Sequence, residues 1–135
     1  MGKLKMAIAT NGNNGLQDVV SQVFGGAKTF TLVDVENGKI EHVIVVENSL
    51  SYLQGAGPII VQTLVDKGVD MLLANKPNSW VAEQLKQRKI THIQVKPGTN
   101  VEKAVAKVLR ARSIESLMKL KPRGAMFVGK MVDVF

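Results

Sequence analysis

Gln54-Gly55-Ala56-Gly57-Pro58 is the segment whose residue types and spacing could do chemistry. Two glycines let the backbone turn tightly and come close to a ligand with no Cβ in the way. Pro58 has its φ pre-set for a first helical position, where its missing N–H costs nothing. The apolar run Ile59–Lys67 follows and closes at Gly68-Val69-Asp70. Peptide N–H groups in such a first turn, backed by the helix dipole, favour an anion. The chemistry implied is holding rather than bond breaking, because no thiol, paired carboxylate or activated hydroxyl accompanies the glycines. Neither of the glycine-rich nucleotide signatures, G-x-x-x-x-G-K-[ST] and G-x-G-x-x-G, is present.

Three further loops are rich in turn and cap residues: Asn11–Gly15, Asn75–Ser79 and Pro97–Asn100. Ordinary turn and cap chemistry explains each of them alone. Gathered at one sheet end, they would bring up to three helix N-termini to one cleft. The candidate ligand contacts are then backbone donors at Gly55, Ala56 and Gly57, with Asn11, Asn13, Asn75 and Ser79 nearby. Catalytic and metal-ligand candidates are lacking. Cysteine is absent, which excludes disulfides, thiolate ligands and a Cys nucleophile. His42 and His92 have no chelating spacing, and each reads as a satisfied or partly buried strand histidine. The scattered methionines read as core packing.

The 135 residues suffice for one domain with a real core. The apolar run near the N-terminus is too short for a signal peptide, so a cytoplasmic location is expected. The net charge of +7 is uneven. Residues 1–102 hold ten Lys/Arg against nine Asp/Glu, whereas residues 103–135 hold eight against two. Such asymmetry suits a solvated helix face with a solubilising tail, or contact with nucleic acid or an acidic partner. Few aromatics interleave the basic residues, so a stacking platform for single strands, and with it nucleic acid, is disfavoured.

The elements that must position these residues follow from periodicity. Leu4–Thr10 reads as a strand covered on both faces, and Leu16–Phe24 as an ambiguous segment able to form a short helix. Thr29–Val35 and Lys39–Val46 flank Glu36-Asn37-Gly38, a strong hairpin signal. Strand–helix alternation follows: helix Ile59–Lys67, strand Met71–Ala74, helix Ser79–Lys89, strand Ile90–Val95 and helix Val101–Met118. The expected inward faces are Ile59, Ile60, Thr63 and Leu64 in the first helix and Trp80, Val81, Gln84 and Leu85 in the second. Such alternation means a parallel sheet with covering helices, made mixed by the hairpin. Ala125–Phe135 could add a strand or form an ordered tail.

Ala7-Ile8-Ala9-Thr10, Val20-Ser21, Phe24-Gly25, Phe30–Glu36, Glu47-Asn48, Gly55-Ala56-Gly57, Leu64, Gly68-Val69-Asp70 and Val101-Glu102 occur in an order that resembles the dinitrogenase iron–molybdenum cofactor biosynthesis family. The resemblance covers roughly residues 4–112. It implies a ribonuclease-H-like three-layer α/β/α fold with a five-stranded mixed sheet. It gives a family domain over residues 1–112 and a basic extension over 113–135. It also implies a non-enzymatic carrier of an iron–molybdenum cofactor or iron–sulfur cluster, working with cofactor assembly or acceptor proteins. Val23-Phe24-Gly25-Gly26 departs from the family's usual Phe-Gly-Arg, and Lys76-Pro77-Asn78-Ser79 matches its Gly-Pro segment only approximately. Two rival readings use the same features: an interaction module acting through the basic C-terminal segment, and a sensor for a small phosphate or carboxylate ligand. Nuclease chemistry, which the fold name raises, would need a carboxylate in the first strand. Met6-Ala7-Ile8-Ala9 has none.

Overall fold

A computed structural model describes residues 2–51, 53 and 55–119, with the side chains of the last helix described through Ser113. The expected strand or tail at Ala125–Phe135 lies outside the described residues. The chain divides into two compact units, Met1–Ala104 and Val105–Phe135. The first holds β1 (Lys3–Thr10), β2 (Thr29–Glu36), β3 (Lys39–Glu47), α1 (Gly57–Asp66), β4 (Met71–Ala74), α2 (Ser79–Gln87) and β5 (Thr91–Gln94). A final helix, α3 (Val101–Lys119), begins in the first unit and continues into the second.

The strands form one sheet in the order β3-β2-β1-β4-β5. β1 pairs antiparallel with β2 and parallel with β4, β2 pairs antiparallel with β3, and β4 pairs parallel with β5. This is the mixed α/β architecture expected from the hairpin and the strand–helix alternation. Ala7, Ala9, Phe30, Leu32, Leu72 and Ala74 form a core cluster with Ile60, Val61 and Leu64 of α1 and Val81 and Leu85 of α2. The intervening residues Met6, Ile8, Thr10, Thr31, Val33, Met71 and Leu73 are buried as well. Neighbouring strand residues point to opposite faces, so both faces of the central strands are covered, as a three-layer fold requires.

Asn37 and Gly38 make the hairpin turn with positive φ at both, the conformation a two-residue turn demands. A bulge near Asp34 and Val35 pairs Val35 with Ile40 and Asp34 with His42, leaving Glu41 as the extra residue. Ile40 therefore points away from the face that carries His42 and Ile44. His42 is exposed, contrary to the partly buried position expected for it. His92 does follow expectation: it is half-buried, with Nε2 3.0 Å from the Ala74 carbonyl oxygen.

The segment Leu16–Phe24 forms only a short 3₁₀ turn, Gly15–Gln17. Asp18 ends it. That buried carboxylate accepts from the N–H groups of Asn14 at 3.1 Å and Val19 at 2.8 Å. The chain then runs extended, with Val20 donating to the Thr99 carbonyl and Ser21 to the Ala9 carbonyl, each at 2.8 Å. Tertiary pairing has taken the backbone donors that a helix would have used. No helix among the described residues is long and apolar enough to cross a membrane.

Candidate functional site

Topology gathers the loops. β1, β3, β4 and β5 run one way and β2 alone runs the other, so the segments after β1, after β3 and after β4 emerge at one end of the sheet. From β1 the chain leaves toward β2, and from β4 toward β5. The loops diverge between these two central strands, where open α/β sheets carry their ligand crevice.

A cleft of about 420 Å³ opens there. One wall is Gln22–Gly26 from the loop after β1. A second is Ser51, Leu53 and Gly55–Pro58, leading into α1. The third is Lys76–Asn78 with Trp80 and Val81, at the start of α2. Phe24, buried on the first wall, packs edge-on against Phe30 with ring centroids 5.6 Å apart. Asn48 ties the first two walls together. Its amide donates to the carbonyls of Gly25 at 3.1 Å and Ala27 at 2.8 Å, and its side-chain oxygen accepts from the Leu50 N–H at 3.1 Å.

Gly55, Ala56 and Gly57 line the cleft, and each has a turn or packing reason to be there. Gly55 has φ +77°, a left-handed conformation that favours glycine. Ala56 is buried and caps α1. A Cβ on Gly57 would lie 2.5 Å from Val81 Cγ2, so the close approach of α1 to α2 requires glycine there. The Gly-Ala-Gly sequence is therefore fully accounted for by turn and packing geometry.

The other candidates fall into different places. Asn75 does not line the cleft; its amide donates to the Gln22 carbonyl at 2.9 Å and braces the first wall. Ser79, the first residue of α2, is exposed beside the lining residues Asn78 and Trp80. Asn78 rather than Ser79 is the N-cap, accepting from the Val81 N–H at 2.8 Å. Asn11 and Asn13 are exposed in the loop after β1 and do not line the cleft. Two of the three helix N-termini reach it, those of α1 and α2. Before α3, Gly98 and Thr99 pair instead with Val20, Val101 donates to the Asp18 carbonyl, and Asn100 accepts from the Lys103 N–H.

Sequence reasoning missed Lys76, Trp80, Leu53 and the Gln22–Gly26 wall. Lys76 is the one charged side chain among the described lining residues. Helical spacing puts Trp80 on the inward face of its helix, yet it is 60% exposed, and Val81 and Leu85 are the buried residues of α2. Ile59, another expected core residue, is 54% exposed, and Val61 is buried in its stead. The signal available was the arc that each short helix can bury. In α2 an arc containing Val81 and Leu85 leaves the preceding tryptophan at its margin.

Chemically the cleft has one cation, several peptide groups and apolar side chains, with no carboxylate, imidazole or thiol in its described lining. Among the described residues no group of three or more His, Cys, Asp or Glu could hold a metal ion.

Comparison with known proteins accords with this architecture. The family model described as dinitrogenase iron–molybdenum cofactor matches residues 3–111. A proposed NifB protein from Thermotoga, solved by NMR, is 34% identical, with a TM-score of 0.66 over 81% of this chain and 90% of that one. The apo form of the orange protein from Desulfovibrio gigas is 27% identical, with a TM-score of 0.71 over 79% of this chain and 88% of that one. A proposed dinitrogenase from Methanocaldococcus jannaschii shares the fold at 17% identity and a TM-score of 0.64, over 82% and 92% of the two chains. A search of curated protein sequences returns no match.

Proposed function

The chain belongs to the dinitrogenase iron–molybdenum cofactor family, and on that premise we propose that it is a small, non-enzymatic cytoplasmic carrier for an anionic metallocofactor. The cargo is an iron–molybdenum cofactor or a related iron–sulfur cluster, received from one protein of cofactor assembly and passed to another. One observation supports this reading: among the described residues lining the cleft at the carboxyl ends of the strands, Lys76 is the one charged side chain, and it shares the cleft with Gly55, Ala56 and Gly57. A catalyst would need a group to attack, or to give and take protons. A carrier needs a site that holds its cargo firmly enough to protect it and releases it without breaking coordinate bonds. Outer-sphere contacts from Lys76 and the peptide groups of Gly55, Ala56 and Gly57 suit that task.

Titration of the purified apo-protein with isolated iron–molybdenum cofactor, followed by visible absorbance, tests the proposal. Saturable binding at one cluster per chain is expected. A protein that leaves an anaerobic desalting column without cluster absorbance after such a titration would overturn it.

A further inference from the structure

Lys103, Lys107 and Arg110 are exposed on α3, and their spacing of four and then three residues stacks them along one face of this continuous helix. From Lys103 to Arg110 the axis advances by about 10 Å. No acidic residue stands three or four positions from any of the three. Glu102, the acidic residue of the first turn, points instead to Gln17, whose amide nitrogen lies 3.5 Å from its carboxylate. Among the described residues the one ion pair joins Lys5 to Asp34 in the sheet. Like charges at these spacings repel and weaken the helix. Folding does not explain the stripe, and its counter-charges have to come from another molecule.

Three kinds of partner have the required sign. A bilayer surface needs a broad apolar face beside the cations, whereas apolar and charged residues are not segregated along α3. Duplex nucleic acid presents about one charge per 1.7 Å, a density that three cations over about 10 Å do not match. A protein helix with carboxylates at the same four- and three-residue spacing offers one charge for each cation over the same length.

We infer that the Lys103–Lys107–Arg110 face of α3 docks an acidic helix of the protein that gives or takes the cargo. The inference rests on the carrier reading for that partner's role, and on α3 alone for the surface. Exposed charges of this kind govern encounter rate and choice of partner more than affinity. That suits a handover, which has to end in dissociation.

The test is a nuclear magnetic resonance titration of the isotope-labelled full chain at low salt. One probe is an alanine-rich helical peptide with glutamates at i, i+4 and i+7, and the other an isomer with them at i, i+2 and i+5. Saturable amide shifts at residues 103–112 are expected, with the matched peptide bound about threefold or more tighter. Lys107→Gln should weaken the matched peptide by about two- to fivefold, and Lys107→Glu by more. Lys107→Glu should also raise the thermal midpoint, because its carboxylate stands four residues after Lys103 and three before Arg110. Absent shifts, equal affinity for the two isomers, or wild-type affinity in both variants overturns the inference. A Lys107→Glu protein less stable than the wild type overturns it as well, since the cations would then serve the fold. A short DNA duplex, or phosphatidylserine vesicles, held by this face more tightly than the matched peptide at equal charge concentration would also overturn it, in favour of nucleic acid or membrane. If isolated cofactor binds in any of those cases, the carrier reading stands on its own. If the peptide results hold and isolated cofactor does not bind, the docking face stands and the carrier reading is lost.

Discussion

Gly57 and Val81 define how closely α1 and α2 can approach, since a Cβ on the glycine would sit 2.5 Å from the valine's Cγ2. Both residues line the cleft, so the contact that packs the two helices also sets the spacing of two of its walls. Gly57→Ala should destabilise the fold by about 1–3 kcal/mol, the usual cost of overpacking. In the double variant Gly57→Ala/Val81→Ala that cost should largely vanish relative to Val81→Ala alone. Chemical denaturation of the four proteins measures the coupling, and additive losses would refute the contact. Gly55→Ala offers a contrast: among the described residues beyond its chain neighbours no atom lies within 4 Å of the added Cβ, and the penalty comes from φ +77°. That penalty should be about 1 kcal/mol, with no relief from Val81→Ala.

Asn48 does for the loop walls what Gly57 does for the helices. Its side chain makes three hydrogen bonds, to Gly25, Ala27 and Leu50, and spans the segments on either side of the β2–β3 hairpin. Asn48→Ala leaves two carbonyls and one N–H without these partners, at a cost of about 1–3 kcal/mol. Asn48→Asp keeps the acceptor but turns a carboxylate oxygen toward the Gly25 and Ala27 carbonyl oxygens, so it should be no more stable than Asn48→Ala. Hydrogen exchange gives a second measurement, with faster exchange at Ala27 and Leu50 expected in Asn48→Ala.

The helix caps give an independent check on which loops belong to the cleft. Asn78 and Asn100 each accept a hydrogen bond from the third residue onward, Val81 at 2.8 Å and Lys103 at 3.0 Å. Replacing either by alanine should cost about 1 kcal/mol in thermal or denaturant unfolding. Only Asn78 lines the cleft, so Asn78→Ala should also weaken cofactor binding, whereas Asn100→Ala should leave it unchanged. Equal effects on binding would mean that the site extends to the start of α3.

The hairpin and the strand–helix alternation were legible, and the caps were legible to within one residue (Asn78 or Ser79, Thr99 or Asn100), because each depends on chemistry within a few residues. Asn37-Gly38 can make its turn with little help from the rest of the chain, and Asn78 and Asn100 cap helices by reaching three residues ahead. What could not be read depends on residues far apart in sequence. Leu16–Phe24 has helical spacing, yet Val20 and Ser21 find partners in Thr99 and Ala9 and stay extended. The alternation of β3 predicts one shared face for Ile40 and His42, and a bulge whose sequence signal is weak separates them. Gly57 illustrates the same limit at the site. Its residue type suggested room for a ligand, while the atom that demands glycine belongs to a helix 24 positions later. Lys76 gives no signal of its own, because the neighbouring asparagines, proline and serine explain that loop as a turn and cap.

Lys76 yields the last prediction. It is exposed, and it is the single charge in the described lining of the cleft. An exposed cation contributes modestly to holding an anion because water and salt screen it, typically 0.2–1 kcal/mol. Lys76→Gln should therefore weaken cofactor binding by about two- to fivefold without abolishing it. The remaining affinity should depend less on salt than that of the wild type, because the screened interaction is the one removed. Lys76→Glu should do more, since it sets repulsion in place of attraction at the same position. Stability should barely change in either variant, which separates a ligand contact from a structural one. Titrations at two salt concentrations measure both quantities, and a Lys76→Gln protein with wild-type affinity and wild-type salt dependence would remove the lysine from the site.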